Sequence, residues 1–136
     1  MSIKAKIRLD FKAESGGGKF FWKRHNLQEI AKTLRSRHVT LLRNLPFQGL
    51  NVEELNEDRE VYLIPDVANH RGIAYAPLEL TVEADSIEDL MQFTLKEEFR
   101  KIKIIEPNEV YLSNGEVERL LVKVNQEYRE EIFDQD

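Results

Sequence analysis

The 136-residue chain contains no cysteine. That excludes a disulfide framework, a thiolate zinc site, an iron–sulfur cluster and a cysteine nucleophile, and it fits a reducing compartment. No run approaches the ~18 apolar residues of a membrane span, and residues 1–6 lack the apolar segment of a signal peptide. Both absences predict a cytoplasmic chain with no membrane partner. Histidine is scarce: His25, His38 and His70 lie far apart, outside any His-x-x-x-His or Glu-x-x-His frame. Two ligands on one helical face need such a frame, so no metal site is expected. No cofactor motif is found either. Gly16-Gly17-Gly18-Lys19 lacks the spacing and the following Ser/Thr of a phosphate loop, and reads as a flexible hairpin loop.

What remains is enough for one α/β domain spanning residues 1–136. Hydrophobic residues make up 41% and charged residues 33%, a composition that is neither disordered nor membrane-embedded. A chain of this length buries a core without covalent staples. The net charge of −5 is unevenly spread. Residues 1–50 carry eleven Lys/Arg against three Asp/Glu, and residues 51–136 carry nine against twenty-two. Such asymmetry points to an anionic partner for the basic part, or to attraction between the parts, within one copy or between copies.

Ile3, Ala5, Ile7, Leu9 and Phe11 alternate with Lys4, Lys6, Arg8 and Asp10, which predicts a strand with one buried face and a mainly cationic solvated face. Asn26, with Glu29 three residues on, predicts a helix start. Leu27, Ile30, Ala31 and Leu34 mark its buried stripe, with Lys32, Arg35 and Arg37 toward solvent. A short strand is expected at 39–42, a connection at 44–49 and a strand at 59–64 stopped by Pro65, while 52–56 is ambiguous. Residues 66–76 read as a loop or hairpin turn. Leu78, Leu80, Val82 and Ala84 alternate with Glu79, Thr81 and Glu83 as a second clear strand. Asp85 or Ser86 caps a helix over 87–98, followed by a strand at 100–106 with Ile102 and Ile104 inward and Pro107 at its end. Ser113 to Glu116 matches a capping box, opening a last helix whose apolar stripe is Val117, Leu120, Leu121, Val124 and Tyr128. The order β–α–β–β–β–α–β–α predicts an α+β two-layer sandwich, its mostly antiparallel sheet covered by helices on one face, ferredoxin-like or related.

The strand Leu78-Glu79-Leu80-Thr81-Val82-Glu83-Ala84-Asp85, the helix start Ser86-Ile87-Glu88-Asp89-Leu90, the strand end Ile104-Ile105-Glu106-Pro107 and the last helix ending near Tyr128 together resemble a known pattern. It is that of the C-terminal extension domain of WYL-type bacterial transcriptional regulators. The resemblance covers residues 78–129. It implies a small α/β sandwich that helps assemble dimers and borders an effector surface, and it brings no catalytic residue. The chain carries neither the helix-turn-helix nor the WYL core of those regulators.

The most functional-looking stretch runs from Lys19 to His25. Lys19, Phe20, Trp22, Lys23 and Arg24, joined by Arg35 and Arg37, suit a nucleic-acid or other anion-binding surface in which rings stack bases and cations meet phosphates. The competing reading puts the rings in the core with the cations snorkelling beside them. Asp66, His70 and Arg71 fall in a predicted loop and suit a general acid–base pair if the chain is a small enzyme. Ser86 and Ser113 are explained as helix caps, and the acidic run Glu53, Glu54, Glu57, Asp58 and Glu60 as a solvated face. The reading that follows is a non-enzymatic binding or regulatory module. Its expected partners are nucleic acid or an acidic protein, and further copies of itself in a homo-oligomer. The alternative is a protein–protein assembly or scaffold subunit.

Overall fold

The computed structural model describes residues 2–14, 24–66 and 71–134. Strand β1 (Ile3–Glu14) pairs along its whole length with β4 (Arg71–Ala84), antiparallel, from Ile3 opposite Ala84 to Glu14 opposite Ile73. On its other side β1 pairs antiparallel with β5 (Phe99–Glu106). The far edge of β4 is shared by two short strands. There β2 (Leu50–Asn56) pairs with residues 79–84, and β3 (Tyr62–Asp66) pairs with residues 71–75. The sheet order is β2-β4-β1-β5, with β3 continuing the line of β2. Helices α1 (Arg24–Asn44) and α2 (Ile87–Thr94) lie on one face. This is the expected α+β sandwich. It has the ferredoxin-like β-α-β-β-α-β arrangement, with the second strand broken in two and a third helix, α3 (Asn114–Asp134), added at the end.

The core follows from period 2. Ile3, Ala5, Ile7, Leu9 and Phe11 of β1 and Leu78, Leu80, Val82 and Ala84 of β4 all point to the helix face. There they meet Val39 of α1 and Leu90 and Phe93 of α2. A smaller cluster of Ala13, Ala74 and Ala76 receives Leu27 and Ala31. Small side chains at that end let α1 approach the sheet closely.

Several local expectations are corrected. Residues 39–42 are helical: Leu27, Ala31, Leu34, Val39 and Leu42 continue one stripe over the core, and burial overrides the β preference of Val39 and Thr40. The helix starts two residues before Asn26. Pro65 lies within β3, an edge strand where a missing N–H is harmless. Residues 71–76 belong to β4, and α2 ends at Thr94. Ser86 is the α2 cap, its Oγ accepting from the Asp89 N–H at 3.2 Å. The Ser113–Glu116 capping box forms in both directions, at 3.2 and 3.3 Å. Gly49 has φ +71°, and a Cβ there would strike the Asp89 carboxylate, so this turn admits only glycine.

The gap between β2 and β3 explains two residues. Asp10 turns its N–H to Glu98 O at 2.8 Å, on the β5 side. The Asp10–Pro77 pair is therefore the non-hydrogen-bonded kind. Pro77 consequently faces its ring nitrogen and its carbonyl away from β1, into the gap. A proline in this central strand thus loses no ladder bond. Arg35 fills the gap from α1: its Nη1 donates to Pro77 O at 3.0 Å and to Arg59 O at 2.8 Å. It is 8% exposed, and its Nε has no partner among the described residues. Arg35 was expected on a solvent-facing contact surface; it is instead the plug of a broken edge. Replacing Arg35 by Met should cost about 2–3 kcal/mol in urea unfolding, because two main-chain carbonyls lose a charged donor. Arg37→Met, at an exposed position of the same helix, should stay within about 0.5 kcal/mol.

Candidate anion-binding face of the sheet

The predicted basic surface is not brought together. Lys19, Phe20, Trp22 and Lys23 lie outside the described residues, and of Arg24 only the backbone, at the start of α1, is described. Arg35 is buried and committed to carbonyls, whereas Arg37 is exposed. Of the alternative catalytic set, His70 lies outside the described residues. The backbones of Asp66 and Arg71 face each other in the β3–β4 ladder, so these two belong to a sheet and not to a loop. Among the described residues, no group of three or more His, Cys, Asp or Glu could hold a metal ion.

A different concentration of charge emerges on the sheet face that none of the described helices covers. Every even-numbered residue of β1 from Lys4 to Glu14 points there. The register sets Lys6 directly opposite Lys103 and Arg8 directly opposite Lys101. Four cations thus form a two-by-two block on adjacent strands about 5 Å apart. With Arg59 and Glu79 they line a groove of about 240 Å³ that holds a single carboxylate. Glu79 is paired with Arg59. Among the described residues, Lys6, Lys101 and Lys103 take part in no ion pair.

Beside this block sits a buried carboxylate. Asp10 belongs by alternation to the solvated face, yet it is 1% exposed. Arg8 grips it twice, Nε to Oδ1 at 3.0 Å and Nη2 to Oδ2 at 3.2 Å. The Tyr62 hydroxyl donates to Oδ2 at 2.5 Å, and Arg100 Nε lies 3.8 Å away. Tyr62 stacks on Tyr75 with centroids 5.2 Å apart, and the Arg100 guanidinium lies 5.3 Å from the Tyr75 ring centre. These rings and stems form the lid over Asp10. Hydrogen bonding to Asp10 raises the Arg8 pKa against the opposing effect of burial. Burial, then the bond to Asp10, pushes the Tyr62 hydroxyl above its ordinary value. The cluster is a brace: it fixes Arg8 in one rotamer, at the edge of the cationic block.

A second depression, of about 390 Å³, opens where β1 outruns β5. His38, stacked on Phe11 at 4.2 Å and bonded through Nδ1 to Leu34 O at 2.9 Å, forms one wall. Lys12, Arg100, Glu97 and Glu98 mix the signs of charge there, so no one ligand charge is selected.

The sequence reading found the cationic face of β1 but missed its completion. Lys101 and Lys103 show period 2 against Ile102 and Ile104, a signal of a shared face. Which strand that face adjoins depends on register, which the alternation does not contain. Asp10 gave no sign of burial, since its cover comes from residues 62, 75 and 100.

No family model matches the chain, and no curated protein sequence matches it. Among the described residues, no helix is long and apolar enough to cross a membrane.

Tyr62→Phe removes a hydrogen bond to a charged acceptor and should destabilise by about 2 kcal/mol at neutral pH. Because folding raises the Tyr62 pKa, its contribution is whole below the ordinary tyrosine pKa of about 10 and is lost as pH rises through the folded value. The gap between wild type and variant in urea unfolding should therefore hold steady up to about pH 10 and narrow above it.

Proposed function

We propose that the chain is a non-enzymatic binding module that takes single-stranded nucleic acid across the open face of its sheet. The observation that carries this is the pair of like-charged oppositions, Lys6 with Lys103 and Arg8 with Lys101. Like charges directly opposite on adjacent strands destabilise a sheet, by roughly 0.2–1 kcal/mol per pair. Arg8 is compensated by Asp10, but among the described residues Lys6, Lys101 and Lys103 form no ion pair, and proteins keep such local conflicts where a ligand relieves them. A polyanion does so, releasing counterions as phosphates meet the lysines. Cations two residues apart along extended strands suit successive phosphates of an extended strand of nucleic acid. Tyr62, at the rim, offers an aromatic surface, whereas Tyr75 already has Tyr62 and Arg100 against it.

The likeness of residues 78–129 to the extension of WYL-type regulators supports the non-catalytic side of this reading. A cytoplasmic setting agrees with a chain free of cysteine.

The test is binding of a labelled single strand, followed by anisotropy as salt is raised. Three phosphate contacts, at Lys6, Lys101 and Lys103, predict a slope of about −2 in log affinity against log salt. Lys101→Glu combined with Lys103→Glu should cut that slope to about a third and lower affinity at least tenfold at low salt. The same double variant should unfold at higher urea than wild type, because each glutamate now faces a cation. Wild-type protein that binds neither RNA nor DNA in a salt-sensitive way would remove the proposal.

A further inference from the structure

Helix α3 is the element the domain uses least. It meets the body through α2, where Arg119 Nε and Lys123 Nζ reach Glu88 at 3.3 and 3.4 Å. Its half-buried positions Glu116, Leu120, Lys123 and Glu127 recur at helical spacing on that side. Roughly a quarter turn away run Val117, Leu121, Val124, Tyr128 and Ile132. The first four, with Leu120, were expected to form the apolar stripe of this helix; Leu120 is half-buried. Val117, Leu121, Val124, Tyr128 and Ile132 are all exposed, Leu121 to 66% and Tyr128 to 61%.

We propose that this stripe is the contact surface between two copies of the chain, with their α3 helices packed antiparallel. Three observations select a second copy as the occupant. The first is spacing: Val117, Leu121, Val124 and Tyr128 fall 4, 3 and 4 residues apart, the seam of a coiled coil, which is filled by a helix carrying the same repeat. The second copy supplies such a helix by symmetry.

The second observation is area. Five such side chains present on the order of 500 Å² of apolar surface, the upper range for the largest patch on a monomer. With its polar rim along ~31 Å of helix, the stripe approaches the ~800 Å² per partner of a stable interface. The third is charge. Residues 114–123 balance Glu116 and Glu118 with Arg119 and Lys123, while residues 124–134 set Glu127, Glu130, Glu131 and Asp134 against Arg129 alone. Parallel packing brings two acidic ends together, whereas antiparallel packing lays each acidic end beside a neutral half. An apolar stripe flanked by carboxylates does not suit nucleic acid, so this surface is distinct from the cationic face. That face lies across the sheet from α2 and stays open in the dimer.

The mass of the full chain by light scattering settles the occupancy. At about 100 µM, well above the Kd of a micromolar complex, it should be twice 16.0 kDa. Leu121→Glu with Tyr128→Glu alters only exposed positions; it should keep the helical spectrum and give the mass of one chain. Because the chain has no cysteine, introduced thiols report orientation. A mixture of Val117→Cys and Ile132→Cys chains should form disulfide-linked dimers under mild oxidation, and Val117→Cys alone should not. A monomeric wild type at that concentration overturns the proposal, as does a dimer untouched by the double substitution. Efficient self-linking of Val117→Cys overturns the antiparallel arrangement.

Discussion

The twelve-residue pairing of β1 with β4 governs the rest of the molecule. From Ile3 opposite Ala84 to Glu14 opposite Ile73, it runs without a shift of register. Both strands alternate, so this one register sends Ile3, Ile7, Leu9, Phe11, Leu78, Leu80 and Val82 to the helices and every lysine of β1 to the open side. A slip of one residue would exchange the two faces. The core of Leu78, Leu80 and Val82 against Ile3 and Ile7 holds the register in place, because the alternative would bury Lys4, Lys6 and Arg8 without partners.

Two conflicts with simple strand chemistry are resolved by neighbours. Pro77 sits in a central strand because its imino nitrogen falls at the break between β2 and β3, where Arg35 serves the carbonyl that the break leaves open. Asp10 sits buried on a solvated face because Arg8, Arg100 and Tyr62 converge on it from three strands. In the first case a cation is used up by structure; in the second an arginine is held still at the edge of a cationic surface. Among the described residues, Lys6, Lys101 and Lys103 have no such structural employment, which separates cations that hold the fold from cations available to a ligand.

Much of the fold was legible from alternation and capping. Ile3 to Phe11 and Leu78 to Ala84 read as strands because period 2 is a backbone property. Ser86 and Ser113 read as caps because their partners lie three residues away. The misreadings share a cause. The β-branched Val39 and Thr40 suggested a strand, and only contact with the sheet shows that Val39 completes a helix stripe. Arg35 was counted with Arg37 as solvent-facing although its carbonyl partners lie 24 and 42 residues away. The α3 stripe has the pattern of a core face, and periodicity reports that a helix has an apolar side without reporting what covers it.

The amino-acid order alone determined most of the strands and helices, which side of each is apolar, and that a cysteine-free chain offers no thiolate ligand. These properties arise within a few residues, from sterics, hydrogen bonds and local spacing. The cationic block, the braced Asp10 and the exposed face of α3 were decided by the tertiary structure. Each is made of side chains separated by tens of residues, whose meeting or failure to meet depends on strand register and on which helix found room against the sheet.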